Sequence, residues 1–111
     1  MSGSKKVRYM RLLVFFDLPV KTAKQRKDYR LFHKFLKKDG YLQLQESVYA
    51  KLVVNDGVAD AAVARMRKNR PPAGLVQVMK VSEGAYATME CITGEPKEFD
   101  EVDTLEELLI L

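Results

Sequence analysis

One carboxylate stands alone in the basic amino-terminal part of this chain. Asp17 is the only acid before Asp28, and it directly follows the apolar run Leu12-Leu13-Val14-Phe15-Phe16. A short apolar run closed by Asp17-Leu18-Pro19 reads as a buried strand, which delivers the acid to the strand's carboxyl end. Alone, such an acid caps or solvates a turn. Two of them brought together across a two-fold axis repel, and either share a proton or hold a hard divalent cation. Mg²⁺ takes one or two carboxylates and completes its shell with water and substrate phosphate. A symmetric Asp17 pair therefore suffices for metal-assisted phosphodiester hydrolysis. Mn²⁺ suits the same oxygen ligands.

The second chemical signal is positive charge at helical spacing. Lys27, Arg30, Lys34, Lys37 and Lys38 recur every three or four residues, with Lys21, Lys24 and Arg26 before them and only Asp28 among them. A face of that kind either is plainly solvated or tracks a phosphate backbone. The scarcity of neutralising acids favours nucleic acid, so Lys24, Arg26, Lys27, Arg30, Lys34, Lys37 and Lys38 are the candidate binding residues. Arg65, Arg67, Lys68 and Arg70 also cluster, but at a helix carboxyl end, which favours cations in any protein.

Other residues say less. His33 is the sole histidine and Cys91 the sole cysteine, so neither an internal disulfide nor a thiolate metal cluster can form within one chain. His33 reads as a half-exposed helix residue. Ser47 and Tyr49 lie on a strand parity that could face a dimer partner, and packing or a hydrogen bond explains them equally well. No glycine-rich phosphate loop, long repeat or 20-residue apolar run is present. The expectation is a single cytoplasmic domain with no membrane partner.

Charge is sharply divided. Residues 1–38 hold 12 Lys+Arg against two acids, residues 39–81 six against four, and residues 82–111 one against nine, so +10, +2 and −8 make up the net +4. The acidic end is not purely polar. Leu105, Leu108, Leu109 and Ile110 alternate with its carboxylates, the composition of a segment that docks on a protein or adds an edge strand.

The elements that must position these groups follow from periodicity. After the first strand, Thr22-Ala23-Lys24-Gln25 reads as a capping box opening a helix to about Lys38. Tyr29, Leu31, Phe32, Phe35 and Leu36 form its apolar stripe, and Gly40 ends it. From Tyr41 to Val54 the period changes to two, with Leu42, Leu44, Val48, Ala50 and Leu52 on one parity; a break near Glu46-Ser47 gives two strands. Asn55-Asp56-Gly57 caps a second helix from about Val58 to Asn69, with the stripe Val58, Ala59, Ala62, Val63 and Met66, ended by Pro71-Pro72. Leu75–Val81 is a strand, Ser82–Ala87 a turn or short helix, and Thr88–Thr93 a further strand, with Leu108–Ile110 a candidate for one more.

The order β-α-β-β-α-β predicts an α+β, ferredoxin-like fold with additional C-terminal strands, its two helices on one face of an antiparallel sheet. Residues 9–95 form the domain, 1–8 a flexible segment or cloning scar, and 96–111 the acidic-apolar docking segment. The first strand is apolar on both parities, so the face without helices needs its own cover. A second copy packed sheet to sheet supplies it, which predicts a homodimer.

Together these residues resemble the Cas-two family, the smaller of the two universal CRISPR adaptation proteins. The resemblance runs from Tyr9 to about Glu95. It rests on Leu12–Phe16 with Asp17-Leu18-Pro19, on Arg26 and Tyr29-Arg30, and on Gly40-Tyr41 before Gln45-Glu46-Ser47-Val48-Tyr49. The longer carboxyl end is similar to the variety accompanying single-effector systems. The resemblance implies a ferredoxin-like homodimer, often with swapped C-terminal strands, and a Mg²⁺-dependent endonuclease of RNA or DNA with Asp17 holding metal at the dimer axis. It also implies a scaffold between Cas-one integrase dimers, binding protospacer duplex through Arg26, Arg30 and the helix lysines and docking the integrase through its acidic end. Many family sequences carry a further acid just behind the aspartate, whereas Leu18-Pro19-Val20 has none. The competing expectation is a stand-alone metal-dependent ribonuclease resembling the virulence-associated D toxins.

Overall fold

The structure is a computed structural model and describes residues 9–96. Residues 1–8, and residues 97–111 with the candidate docking residues Leu105, Leu108, Leu109 and Ile110, lie outside the described residues. The first strand, β1 (Met10–Asp17), contains the apolar run and ends on Asp17. Helix α1 (Ala23–Lys38) begins at the predicted capping box: the Gln25 amide donates to Thr22 Oγ1 and the Thr22 amide donates back to Gln25 Oε1, both at 3.1 Å. It ends where Gly40 turns left-handed (φ 95°), with the Tyr41 amide donating to the Leu36 carbonyl at 2.9 Å.

β2 (Leu42–Gln45) and β3 (Val48–Val53) form a hairpin broken at Glu46-Ser47, as the period change predicts. Helix α2 (Asp56–Lys68) is capped by Asn55, whose Oδ1 accepts the Val58 amide at 2.8 Å. β4 (Leu75–Ser82) follows, then the short helix α3 (Glu83–Ala87). The sheet order is β2-β3-β1-β4 with every pairing antiparallel, which fits the ferredoxin-like arrangement.

Leu12, Val14 and Phe16 from β1, Phe32 and Leu36 from α1, and Ala59, Ala62 and Met66 from α2 share one buried cluster, so α1 and α2 cover the same sheet face. Three expectations are corrected. Thr88–Thr93 forms no strand: Ile92 is 87% exposed, and Thr88 serves instead as the cap of α3, its hydroxyl donating to the Ala85 carbonyl at 2.6 Å. With β4 already complete at the sheet edge, those residues find no ladder in the described chain. Leu31 is not part of the α1 stripe; it is 54% exposed because a turn of 100° per residue carries it toward the lysines. Tyr49 faces the helices, not the open side. It is fully buried against Phe16 (ring centroids 5.6 Å apart), and the His33 imidazole beneath α1 meets its hydroxyl, so a polar aromatic sits in the core without an unsatisfied group.

Candidate metal and nucleic-acid site

The backbone around Asp17 is held on three sides. Its predecessor Phe16 donates its amide to the Ser47 carbonyl (3.1 Å), Leu75 lies opposite Asp17 across the β1–β4 ladder, and Leu18 is buried behind it. Gly74 passes so close that a Cβ there would stand 2.7 Å from the Asp17 carbonyl oxygen. The Asp17 side chain itself is exposed. A rigid backbone with a solvent-facing carboxylate is what a metal ligand or a turn cap requires.

Register decides which way that carboxylate faces. Leu13 pairs with Ala50 and Met79, Phe15 with Val48 and Gln77, and Arg11 with Leu52 and Val81. Cross-strand partners share a face, so these residues and Asp17 lie on the side opposite the helices. That open face is largely apolar, and Leu52, Leu75 and Met79 are about half exposed (46%, 55% and 50%). Asp17 stands at one end of it. At the other end Arg11 donates to both Glu83 oxygens (2.7 and 3.1 Å) with its guanidinium 4.5 Å from the Tyr86 ring centre, folding α3 back against β1. The hydrogen bonds from Arg11 hold the Glu83 carboxyl below its ordinary pKa.

Among the described residues no group of three or more His, Cys, Asp or Glu is placed to hold a metal. The described residues of one chain thus bring no such group to Asp17. That fits Mg²⁺ only as part of a shared shell, since this ion accepts one or two carboxylates and keeps several waters. Leu18 is buried in the core, so the residue behind Asp17 has no room to contribute a ligand.

The seven candidate cations of α1 are all exposed, but they are not equivalent. Lys24 pairs with Asp28 (3.1 Å), and Arg26 donates to the Val20 and Lys21 carbonyls at 3.1 and 3.0 Å, securing the loop before the helix. Lys27, Arg30, Lys34, Lys37 and Lys38 make no ion pair among the described residues. Helical spacing puts Lys27, Arg30, Lys34 and Lys38 on the side opposite Phe32 and Leu36. The α1 lysines and the Asp17 carboxylate therefore occupy opposite layers, one on the helix surface and one on the open sheet face.

Several features lay beyond the sequence reading. Gly74 follows Pro71-Pro72, which read only as a helix stop. The His33–Tyr49 contact joins residues on different elements, and burial followed by the nearby Lys37 charge lowers the His33 pKa. At the far end of α1, Arg65 donates to Asp39 Oδ1 (2.9 Å), the Lys51 ammonium meets the Asp39 carbonyl, and the buried Tyr41 hydroxyl is pushed up to about 12 by desolvation and then by Asp39. This polar cluster ties α2 and β3 to the end of α1.

Comparison with known proteins gives a consistent answer. The family model CRISPR associated protein Cas2 matches residues 10–89. The chain is similar to a CRISPR-associated endoribonuclease Cas2 of Treponema denticola, 48% identical over 92% of this chain and 100% of the relative. It is also similar to proteins of the same name from Streptococcus mutans (41% identical, 78% of this chain and 79% of the relative) and Acidovorax ebreus (40%, 78% and 85%).

Proposed function

The chain belongs to the CRISPR-associated protein Cas2 family, and from that premise we propose that it is a CRISPR spacer-acquisition protein. In this reading it is a homodimer that binds duplex DNA and scaffolds the Cas-one integrase, with a Mg²⁺-dependent endonuclease site at the dimer axis. The observation that carries the proposal is the open sheet face: apolar across Leu13, Phe15, Ala50, Leu52 and Met79, with Asp17 at its end. A second copy covers that face most economically, because an isologous contact matches apolar surface to itself and brings Asp17 toward its mate.

The chain's own residues then divide the work. Asp17 from each copy would hold a divalent cation, and β1 with Gly74 and Ser47 keeps each carboxylate on rigid backbone. Mg²⁺ bound there would polarise a phosphoryl oxygen and lower the pKa of a coordinated water. The unpaired cations of α1 bind backbone phosphates, fixing position without reading sequence. Leu18 leaves no second acid directly behind Asp17, so among the described residues hydrolysis would rest on the Asp17 pair, whereas scaffolding needs only the dimer and the basic helices. The acidic-apolar end supplies the contact with the integrase.

A second reading is favoured by the name its relatives carry, endoribonuclease: a ribonuclease whose substrate is RNA and whose catalytic residue is Asp17. Labelled duplex DNA and single-stranded RNA, each incubated with wild-type and Asp17→Ala protein in Mg²⁺, test the two. The scaffold reading expects tight, steeply salt-dependent duplex binding by both proteins. RNA cleavage by the wild type alone, without duplex binding, supports the ribonuclease instead.

A further inference from the structure

Leu31 is out of place in a surface made only for phosphate. It lies at i+4 from Lys27, i−3 from Lys34, i−4 from Phe35 and i−7 from Lys38, so an exposed leucine sits inside the basic stripe. With Phe35 it floors an open hollow of about 490 Å³ between the helices, rimmed by Lys34, Lys38, Asp39 and Asn69. The one acid at that rim does not face the hollow freely: Asp39 Oδ1 accepts from Arg65, and its Oδ2 is buried. Lys34 and Lys38 make no ion pair among the described residues.

An apolar floor with an ammonium rim does not complement a sugar-phosphate backbone, which has no apolar group to place there. It complements a segment that alternates carboxylates with large aliphatic side chains. The chain itself carries one. Beyond the described residues, Glu98, Asp100, Glu101, Asp103, Glu106 and Glu107 are interleaved with Phe99, Val102, Leu105, Leu108, Leu109 and Ile110, and no Lys or Arg lies among them. Fifteen residues follow Pro96. Fully extended they reach about 50 Å, more than the roughly 35 Å breadth of a domain this size, so the helix layer is within range.

We infer that the acidic-apolar C-terminal segment of this protein docks on the Leu31–Phe35 hollow, its leucines on the floor and its carboxylates on Lys34 and Lys38. This inference rests on the proposed DNA-binding role of α1, because the same lysines then serve two ligands. The segment shields the basic face in the free protein. A protein partner that captures the segment uncovers the face, which couples partner assembly to DNA binding through one equilibrium.

The test uses the full-length protein. A nitroxide is attached at position 110 of a Cys91→Ser, Ile110→Cys variant, and broadening of backbone amide resonances is mapped at low salt. The inference expects broadening centred on Leu31, Lys34, Phe35 and Asn69, diminished by Leu31→Ala and by high salt. In parallel, full-length Glu106→Gln, Glu107→Gln protein should bind duplex about threefold to fivefold more tightly than wild type at low salt, the scale of two surface ion pairs released. Broadening centred on the β4 edge or the open sheet face would overturn it, as would no broadening at all or unchanged affinity in the neutralised variant. If neither protein binds duplex, the DNA-binding role of α1 fails, and the label still reports where the segment lies.

Discussion

Gly74 and Asp17 are packed backbone to backbone: a Cβ at position 74 would lie 2.7 Å from the Asp17 carbonyl oxygen and 2.8 Å from a Leu18 methyl, and Gly74 adopts φ +98°. Both the left-handed conformation and the missing side chain are needed for the loop after Pro71-Pro72 to enter β4 alongside the end of β1. The position of the exposed carboxylate is therefore fixed by a residue with no chemistry of its own.

Gly74→Ala should accordingly be costly out of proportion to its size. The strained backbone and the clash with the Asp17 carbonyl are expected to destabilise the fold by about 1–3 kcal/mol in urea titration. Mg²⁺-dependent effects that require Asp17 should weaken as well, while duplex binding through α1 survives in the remaining folded protein. A variant of wild-type stability would show that the loop has room to move.

Separate roles are expected for the two sides of β1. Leu36→Ala, on the helix side, should cost about 2–5 kcal/mol because Leu36 is fully buried. Leu13→Glu, on the open face, should leave the protomer folded, as measured by far-ultraviolet circular dichroism, and shift sedimentation from dimer to monomer. A Leu13→Glu protein that still sediments as a dimer would place the association elsewhere.

His33 predicts a pH dependence. Its imidazole Nδ1 is hydrogen-bonded with the Tyr49 hydroxyl, and burial, then Lys37, depresses its pKa below 6.5 in the folded protein. The unfolded chain therefore binds more protons once the pH falls to about 6.5. Stability is full above that value and declines as the pH drops through 6.5 toward the lowered folded value. Urea midpoints measured from about pH 7.5 to 5.5 should fall for wild type and stay nearly flat for His33→Gln. Parallel curves for the two proteins would assign the acid sensitivity to other groups.

Binding to duplex DNA should lose affinity steeply with salt, since each neutralised phosphate releases counterions with a slope near 0.9 per contact. Replacing Lys27, Lys34 and Lys38 by Gln should reduce that slope by about one for each lysine that touches phosphate. Lys24→Gln and Arg26→Gln should do less, because Lys24 already pairs with Asp28 and Arg26 with loop carbonyls. Filter binding across a salt series distinguishes the two sets.

Elements with strong local signals were legible from residues alone. The capping box, the hairpin break at Glu46-Ser47 and the placement of Asp17 on the parity of Leu13 and Phe15 follow from spacing, and the structure has all three. Features decided by tertiary contact were not. Tyr49 is buried because His33, sixteen residues away, satisfies its hydroxyl, and no pattern within β3 announces that. Leu31 is different: the helical turn alone carries it toward the lysines, and only its apolar side chain suggests the stripe. Thr88–Thr93 has a strand's residue types, but a strand also needs a neighbour, and whether one exists is a property of the whole sheet.

The division of labour between Asp17 and the basic helix is tested most directly by spacer acquisition in cells carrying the integrase and a repeat array. One strain expresses Asp17→Ala protein, another the Lys27, Lys34, Lys38→Gln protein, each at wild-type abundance. A scaffold built on the dimer and α1 predicts that acquisition persists with Asp17→Ala and is lost with the lysine variant. Loss with Asp17→Ala alongside intact dimerisation and duplex binding, or normal acquisition by the lysine variant, would contradict it.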